Sequence, residues 1–420
     1  MKFSSLNTSD FTDSTIFLDI DGTIVGDGQA APSEEVVELI KELAKDNDVY
    51  ICSNGAFART EELARSLGVS SLPKMRKPFS HRVVTSLEKR DRTVVIGDKY
   101  ITDGLFAARL GADFVRVERI VLGHECRHTK AINSIDDMFW AIRPYVQIVR
   151  PTQWVKNLLV FAPLFFAREL FNLHAVSLAL LTGIAFSSAA SAVYVFNDIC
   201  DVERDRAHPK KRHRPLASGA LSITKAKWLW VLLFIFTLYI LSRVPVVMPV
   251  ILLYVVVNTV YSVWLKHVAV VDILLVASFY LMRLIAGGEA TATTLSPWII
   301  LCVFFGALFV ILGKRRAEFK REERRKVLDN YSREALDFML VASAVLTLSS
   351  YTLYTVIGHP LPYLLYTTVF VVLAFFRTLN HMYTNPESAE SPERMLFTDP
   401  WIFGTFILWG LSAFCIFYIG

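Results

Sequence analysis

The sequence predicts two fold classes in tandem: an α/β doubly wound domain at the amino terminus, followed by an all-α polytopic membrane domain of about nine transmembrane helices. Three observations predict this. Over residues 1–122, β-branched runs alternate with amphipathic stretches, as βαβ units require. Over residues 150–420, apolar runs of roughly 18 to 25 residues recur, long enough to cross a bilayer. Residues 123–149 between them read as an amphipathic linker. The 53% hydrophobic content comes mainly from the second part, and the net charge of +5 is gathered into a few loops. That distribution fits membrane orientation and anionic substrates, not nucleic acid.

In the first domain, Thr15-Ile16-Phe17-Leu18-Asp19-Ile20-Asp21-Gly22-Thr23 is a strand that delivers two carboxylates at its C-terminal end, where open parallel sheets build their sites. Pro32-Ser33-Glu34-Glu35 starts a helix with Val36, Val37, Ile40 and Leu43 on one side. Val49-Tyr50-Ile51-Cys52 is a second strand, ending at Ser53-Asn54-Gly55, and residues 57–67 form a helix stopped by Gly68. Thr93-Val94-Val95-Ile96-Gly97-Asp98 is a further buried strand, and Thr102-Asp103 begins a helix ending near Gly111.

These strand ends resemble, motif by motif, the haloacid dehalogenase-like phosphatase superfamily. The resemblance implies that Asp19 is the nucleophile taking the phosphoryl group and Asp21 the acid/base that protonates the leaving oxygen. Ser53 and Asn54 would hold phosphate oxygens, Lys77 would neutralise the phosphate, and Asp98 and Asp103 would complete a Mg2+ site with Asp19. A carboxylate accepts a phosphoryl group only when a metal and a lysine offset the repulsion between two anions. Lys74 and Arg76 stand close enough in sequence to compete for the role of Lys77. The wording Lys77-Pro78-x-Ser80-His81-Arg82 and Gly97-Asp98-x-x-x-Thr102-Asp103 is similar to a phosphatidylglycerophosphatase-type subgroup. Too few residues separate Asp21 from Ser53 for a cap domain. A capless site joined to membrane helices suits a lipid-linked phosphate.

Cys52, Cys126, Cys200, Cys302 and Cys415 are scattered without a CxxC pair, and read as isolated thiols rather than a disulfide frame. His124-Glu125-Cys126-Arg127-His128 has zinc-ligand types, but no second cluster completes a tetrahedral site. Met1-Lys2-Phe3-Ser4-Ser5 opens no apolar signal core, so the first domain is expected in the cytoplasm. Within the linker, Ile135-Asp136-Asp137-Met138-Phe139-Trp140-Ala141-Ile142-Arg143 suits an interface helix.

The nine expected spans centre roughly on residues 163, 186, 235, 254, 278, 304, 346, 368 and 410. Basic loops follow the second, fourth and sixth, at 204–227, at Lys266-His267 and at 314–326, all on one face by parity. The positive-inside rule makes that face cytoplasmic, and the membrane is expected to be the cell's inner (plasma) membrane. The second span closes on Asn197-Asp198-Ile199-Cys200-Asp201-Val202-Glu203-Arg204-Asp205. If the helix continues, Asp198, Asp201 and Asp205 fall at i, i+3 and i+7 on one stripe. Such a stripe repels itself unless a hard cation such as Mg2+ sits between its oxygens. Charge at a membrane helix end is common, but this spacing, followed by His208-Pro209-Lys210-Lys211 and Arg214-Pro215, is not.

Asn197-Asp198-x-x-Asp201-x-x-x-Asp205 with Arg214-Pro215-x-Ala217-Ser218-Gly219 resembles the first acidic motif of the UbiA-type intramembrane prenyltransferase superfamily. The His208-Pro209-x-Lys211 insertion is similar to its decaprenyl-phosphate phosphoribosyltransferase branch, which joins phosphoribosyl diphosphate to a polyprenyl phosphate. Arg150-Pro151-Thr152-Gln153-Trp154-Val155-Lys156-Asn157 resembles the same branch, which assigns Arg150, Gln153, Lys156 and Asn157 to substrate phosphates; on spacing alone it reads equally as a snorkelling anchor. Tyr261-Ser262-x-x-x-Lys266 with Asp272 is similar to the second motif, a single acid standing where an aspartate cluster is usual; the resemblance implies that Asp272 is a catalytic residue and, with Lys266, serves a site for one metal-diphosphate and a separate phosphate. Asp272 can also be read as a helix cap. Arg283, inside the fifth span, would face a cavity or a partner. Lys314-Arg315-Arg316 reads as an orientation signal with headgroup contacts.

The resemblances together imply a bifunctional enzyme that uses Mg2+ in both domains. Phosphoribosyl diphosphate and polyprenyl phosphate would be its substrates and the lipid bilayer its setting, with a homo-oligomer allowed. Asn197, Lys211, Arg214 and Lys266 would join the acids in holding the diphosphate. One alternative is transfer of a prenyl chain from prenyl diphosphate to an aromatic or other acceptor beside an independent phosphatase. Another is a transporter or anchor carrying a phosphatase, against which the one-sided polar clusters argue.

Overall fold

The computed structural model describes residues 2–26, 29, 31–72, 75–79, 84, 87, 90, 92–121, 127–209, 211–319, 326–358, 361, 363–385, 395 and 399–419. Lys74, Ser80, His81, Arg82, His124, Glu125, Cys126 and Lys210, named above, lie outside them. The chain divides into two compact units, Met1–Pro144 and Tyr145–Gly420.

The first unit is built on five parallel strands: β1 (Ser14–Leu18), β2 (Asp48–Ile51), β3 (Ser70–Ser71), β4 (Arg92–Gly97) and β5 (Asp113–Arg116), in the order β3-β2-β1-β4-β5. Central strand β1 is buried along its whole length, which is why it reads as a near-continuous apolar run and not as an alternation. Helix α1 (Glu34–Asp46) buries Val36, Ile40 and Leu43, and α2 (Phe57–Leu67) ends where Gly68 takes a φ of 71°, a left-handed cap that glycine adopts without strain. The helix expected from Thr102 starts later. Residues Tyr100–Gly104 form a wider π-type turn that sends Asp103 inward, and α3 spans only Leu105–Leu110.

The linker is a continuous helix, α4 (Arg127–Val149), which crosses the boundary between the units. Asn133 and Asp136 are buried on one side of it, whereas Ile132, Ile135, Met138, Phe139, Ile142 and Val146 form an exposed apolar stripe at helical spacing.

The second unit is all helical: α5 (Ala162–Phe166), α6 (Leu173–Cys200), α7 (Val202–Ala207), α8 (Ile223–Arg243), α9 (Met248–Val263), α10 (Val271–Ala290), α11 (Pro297–Phe319), α12 (Arg333–Leu353), α13 (Thr368–Thr384) and α14 (Pro400–Tyr418). Among the described residues, 8 helices are long and apolar enough to cross a membrane. The ninth expected span, near residue 163, is not a long helix. Pro151–Phe161 is wound as a 3-10 helix and α5 adds only a short turn, and the segment runs antiparallel beside α6, with Arg150 at Asp198, Trp154 at Ser191 and Asn157 at Ser187. That segment packs tightly on α10, since a Cβ at Gly287 would run into the Val160 carbonyl oxygen. Small buried residues of α6, among them Gly183, Ala185, Ser188, Ala189 and Ser191, allow its neighbours the same close approach.

Candidate functional site

In the first unit the C-terminal ends of β1 and β4 lie side by side, at the point where strand order reverses. Carboxylate oxygens of Asp19, Asp98 and Asp103 all lie within 4.8 Å of one another, and these are the only such acidic group among the described residues. Lys77 Nζ lies 2.5 Å from Asp19 Oδ1 and 2.5 Å from Asp103 Oδ1. All four side chains are buried. Burial and then the Asp103 charge raise Asp19 to about 7, with Lys77 pulling the other way. Lys77 is itself pushed up, because Asp103 and Asp19 outweigh the burial that opposes its charge. Three converging oxygen donors fit a small hard cation such as Mg2+.

The other expected residues frame this cluster. Gly22, at a φ of 84°, lets the chain pass so close to Asp98 that a Cβ would lie 2.7 Å from its Oδ2. Asp21 accepts a hydrogen bond from Arg59 NH1 at 2.8 Å. Ser53 Oγ accepts the Gly55 N–H, and Asn54 clamps the backbone of Lys77 through Lys77 N–H to Oδ1 at 2.7 Å and Nδ2 to Lys77 O at 3.2 Å. Asn54 therefore positions the lysine. Sequence reasoning missed Arg59, Lys99 and Arg119, the last two holding Asp98 Oδ2 at 3.2 and 2.7 Å.

In the second unit α6 stops at Cys200, and Asp201, with φ −95° and ψ 6°, breaks the helix before α7. The continuous stripe expected from the spacing is thereby divided. Asp198 and Asp205 are buried and share Arg214, whose NH1 lies 3.1 Å from Asp198 Oδ1 and 2.7 Å from Asp205 Oδ2. Asp201 stands more open, with Lys266 Nζ at 3.8 Å and Arg204 NH1 at 3.5 Å. The oxygens of the three do not form one metal-sized cage, although as all-oxygen donors they suit the same class of cation. Arg150 reaches Asp198 Oδ1 at 2.6 Å and lies over the Tyr194 ring. It does so from a left-handed backbone, φ 54°, which an arginine before proline adopts only under strain.

Asn157 donates to Ser187 Oγ and accepts from Arg283 Nε at 2.7 Å. Arg283 is buried and sits against the rings of Phe186 and Tyr254, so its charge faces partners within the protein, as expected. Lys156 lies over Tyr280, Asn197 Nδ2 donates to Ser262 Oγ, Gln153 is half-buried and Lys211 is exposed. Asp272 belongs to a different cluster and caps no helix, the N-cap of α10 being Val270. Fully buried, it accepts from Tyr331 OH at 2.7 Å and pairs with Arg315 NH2 at 3.1 Å. Arg315 and Arg316 were expected at headgroups. Both are buried, paired with Asp272 and Glu318 and with Asp337 respectively, because Glu318 one turn on and acids of the adjoining helices α10 and α12 neutralise them in place.

Residues 158–414 match the model of the UbiA prenyltransferase family. The chain belongs to the UbiA prenyltransferase family. It is 40% identical over 221 residues to decaprenyl-phosphate phosphoribosyltransferase of Mycobacterium tuberculosis, covering 50% of this chain and 72% of that protein. With the enzyme of the same name from Mycolicibacterium smegmatis it shares 39% over 222 residues, covering 50% and 69%. The fold of the UbiA unit is similar to that of a UbiA homolog from Archaeoglobus fulgidus bound to DMAPP and Mg2+, with a TM-score of 0.50 at 17% identity, over 65% of this chain and 99% of that one.

Proposed function

We propose that the UbiA unit transfers 5-phosphoribosyl from phosphoribosyl diphosphate to a polyprenyl phosphate of decaprenyl type. The amino-terminal unit, on this reading, is a haloacid dehalogenase-like phosphomonoesterase that removes the 5-phosphate from the product. The observation that carries the transferase reading is the 40% identity to a decaprenyl-phosphate phosphoribosyltransferase across 72% of its length. The buried Asp19, Asp98, Asp103 and Lys77 cluster supports the phosphatase reading.

In the transferase, Asp198, Asp201 and Asp205 would hold Mg2+, which when bound neutralises the leaving diphosphate. Arg214 and Lys211 of the same loop, with Asn197 of α6 and Lys266 of the loop after α9, attend diphosphate oxygens. Arg150, Gln153 and Lys156 orient the polyprenyl phosphate, with Asn157 braced by Arg283. The bond from ribosyl C1 to the diphosphate oxygen breaks, and one from C1 to an oxygen of the polyprenyl phosphate forms. Positioning and charge neutralisation are sufficient, and no covalent enzyme intermediate is needed. In the phosphatase, Asp19 attacks phosphorus, Asp21 gives its proton to the sugar oxygen, and water then releases phosphate from Asp19. Ser53, Asn54 and Lys77 orient the phosphoryl group. On this reading both reactions take place at the cytoplasmic face of the plasma membrane, the side that the positive-inside rule favours for the basic loops of the UbiA unit.

Lipid mass spectrometry tests both halves. Protein incubated with phosphoribosyl diphosphate and polyprenyl phosphate should give dephosphorylated polyprenyl phosphoribose, and an Asp19→Asn variant should accumulate the 5-phosphorylated lipid. Turnover of prenyl diphosphate without any sugar phosphate would overturn the transferase reading. Loss of no phosphate from the lipid in either protein would overturn the phosphatase reading.

A further inference from the structure

The structure assigns to Asp136 of helix α4 a positioning role in the phosphatase site of the first unit, an inference that rests on the phosphatase reading above. Asp136 is 1% exposed, although it lies far along the sequence from every motif residue. Its Oδ1 accepts the backbone N–H of Ile101 at 2.7 Å, and its Oδ2 pairs with Arg116 NH2 at 2.8 Å and with Arg119 NH2 at 3.6 Å.

Each of these contacts leads to the metal-binding carboxylates. Ile101 lies between Asp98 and Asp103, in the Tyr100–Gly104 turn that carries Asp103, so the Asp136 carboxylate pins the segment that sets the spacing of these two acids. Arg119 Nε donates to Asp98 Oδ2 at 2.7 Å, and Arg116 Nε donates to the Asp98 carbonyl oxygen at 3.0 Å. Arg119 NH2 is buried and makes no hydrogen bond among the described residues, so the ionic pull of Asp136, and of Asp137 at 3.7 Å, sets where that guanidinium points. Trp140, one turn further along α4, packs against Tyr100 of the same turn and under Arg116, with 5.6 Å between the rings and 5.0 Å from ring to guanidinium. Helix α4 thus braces, within the first unit, the segment from Asp98 to Asp103 and the two arginines that hold Asp98. Without Asp136, Arg119 keeps Asp98 as its main counter-ion and competes with a metal for it, while the turn from Asp98 to Asp103 loses its anchor.

The test is Mn2+ binding to the full chain in an Asp198→Asn background, followed by the spectrum of free Mn2+, with hydrolysis of p-nitrophenyl phosphate measured in parallel against Mg2+ concentration. Asp136→Asn and Asp136→Ala should raise the half-saturating Mn2+ and Mg2+ concentrations tenfold or more, Asp136→Glu less than threefold, and Arg119→Gln should alter both together with Asp136→Asn. Ribosyl transfer measured without the Asp198 change should be unaffected. If Asp136→Ala prevents folding of the first unit, Asp136→Asn and Arg119→Gln carry the test. Metal half-saturation within twofold of the parent in both would overturn the inference while leaving the phosphatase reading intact. Absence of any phosphatase activity in the parent would overturn that reading, and the Mn2+ titration would still report on Asp136.

Discussion

Arg150 NH2 lies 2.6 Å from Asp198 Oδ1, a contact that ties the entry to the 3-10 segment to the acid 48 residues further on. Because Asp198 is buried and the pair is charge-assisted, each partner fixes the other. Replacing Arg150 by alanine should lower ribosyl transfer on the order of 100-fold, as loss of one preorganised charge at a transfer site typically does. Arg150→Lys should recover part of the rate. Initial rates with both substrates saturating check this, and an unchanged Arg150→Ala rate would remove the residue from the site.

Asp272 should behave differently from Asp198. Its carboxylate compensates the buried Arg315 and holds Tyr331, so Asp272→Asn leaves a buried charge poorly matched, at a cost of about 3 kcal/mol. Detergent-solubilised protein should melt several degrees lower, with transfer by the surviving folded fraction largely retained. Asp198→Asn should show the reverse, loss of transfer with little change in melting.

Asp19 supplies a pH-dependent prediction. Its folded-state pKa of about 7 lies above the ordinary value of 3.8, so between those values the folded state binds more protons than the unfolded one. Stability of the metal-free first unit therefore falls as pH rises through that window. Asp19→Asn removes the dependence. The melting temperature of the variant relative to wild type, measured in chelator, should be higher at pH 8 than at pH 4; equal differences at both would contradict the raised value.

Gly22→Ala should abolish dephosphorylation without affecting transfer. The new methyl would meet Asp98 2.7 Å away on a backbone, φ 84°, that alanine adopts only under strain. Lipid products should then remain 5-phosphorylated, as with Asp19→Asn.

Much of this was legible in sequence because the informative residues stand at the ends of strongly patterned elements. The β1 run ending in Asp19, and the long apolar helix ending in Asn197-Asp198, announce both the elements and what they deliver. Contacts between distant segments were not legible. Nothing local marks Asp136 as buried, or says that Asp272 would be taken by Arg315 and Tyr331 and not join the first acidic loop. The form of the ninth span was hidden for a related reason: hydropathy near residue 163 is high, but nothing local says that the segment is wound as a 3-10 helix and a short α turn and not as one long α-helix. The break at Asp201 was equally hidden, since a pattern of i, i+3 and i+7 presumes the helix whose end it was used to describe.

The acidic loop of the UbiA unit holds its charges in balance: Asp198, Asp201 and Asp205 are answered by Arg150, Arg214 and Lys266. A guest that is itself a cation joined to an anion can enter such a loop by exchange of partners, the carboxylates turning to the metal and the guanidinium and ammonium groups to the phosphates. Little net charge need then be drawn from water, and a bare cation or a bare anion arriving alone would upset an equilibrium that the two together leave intact.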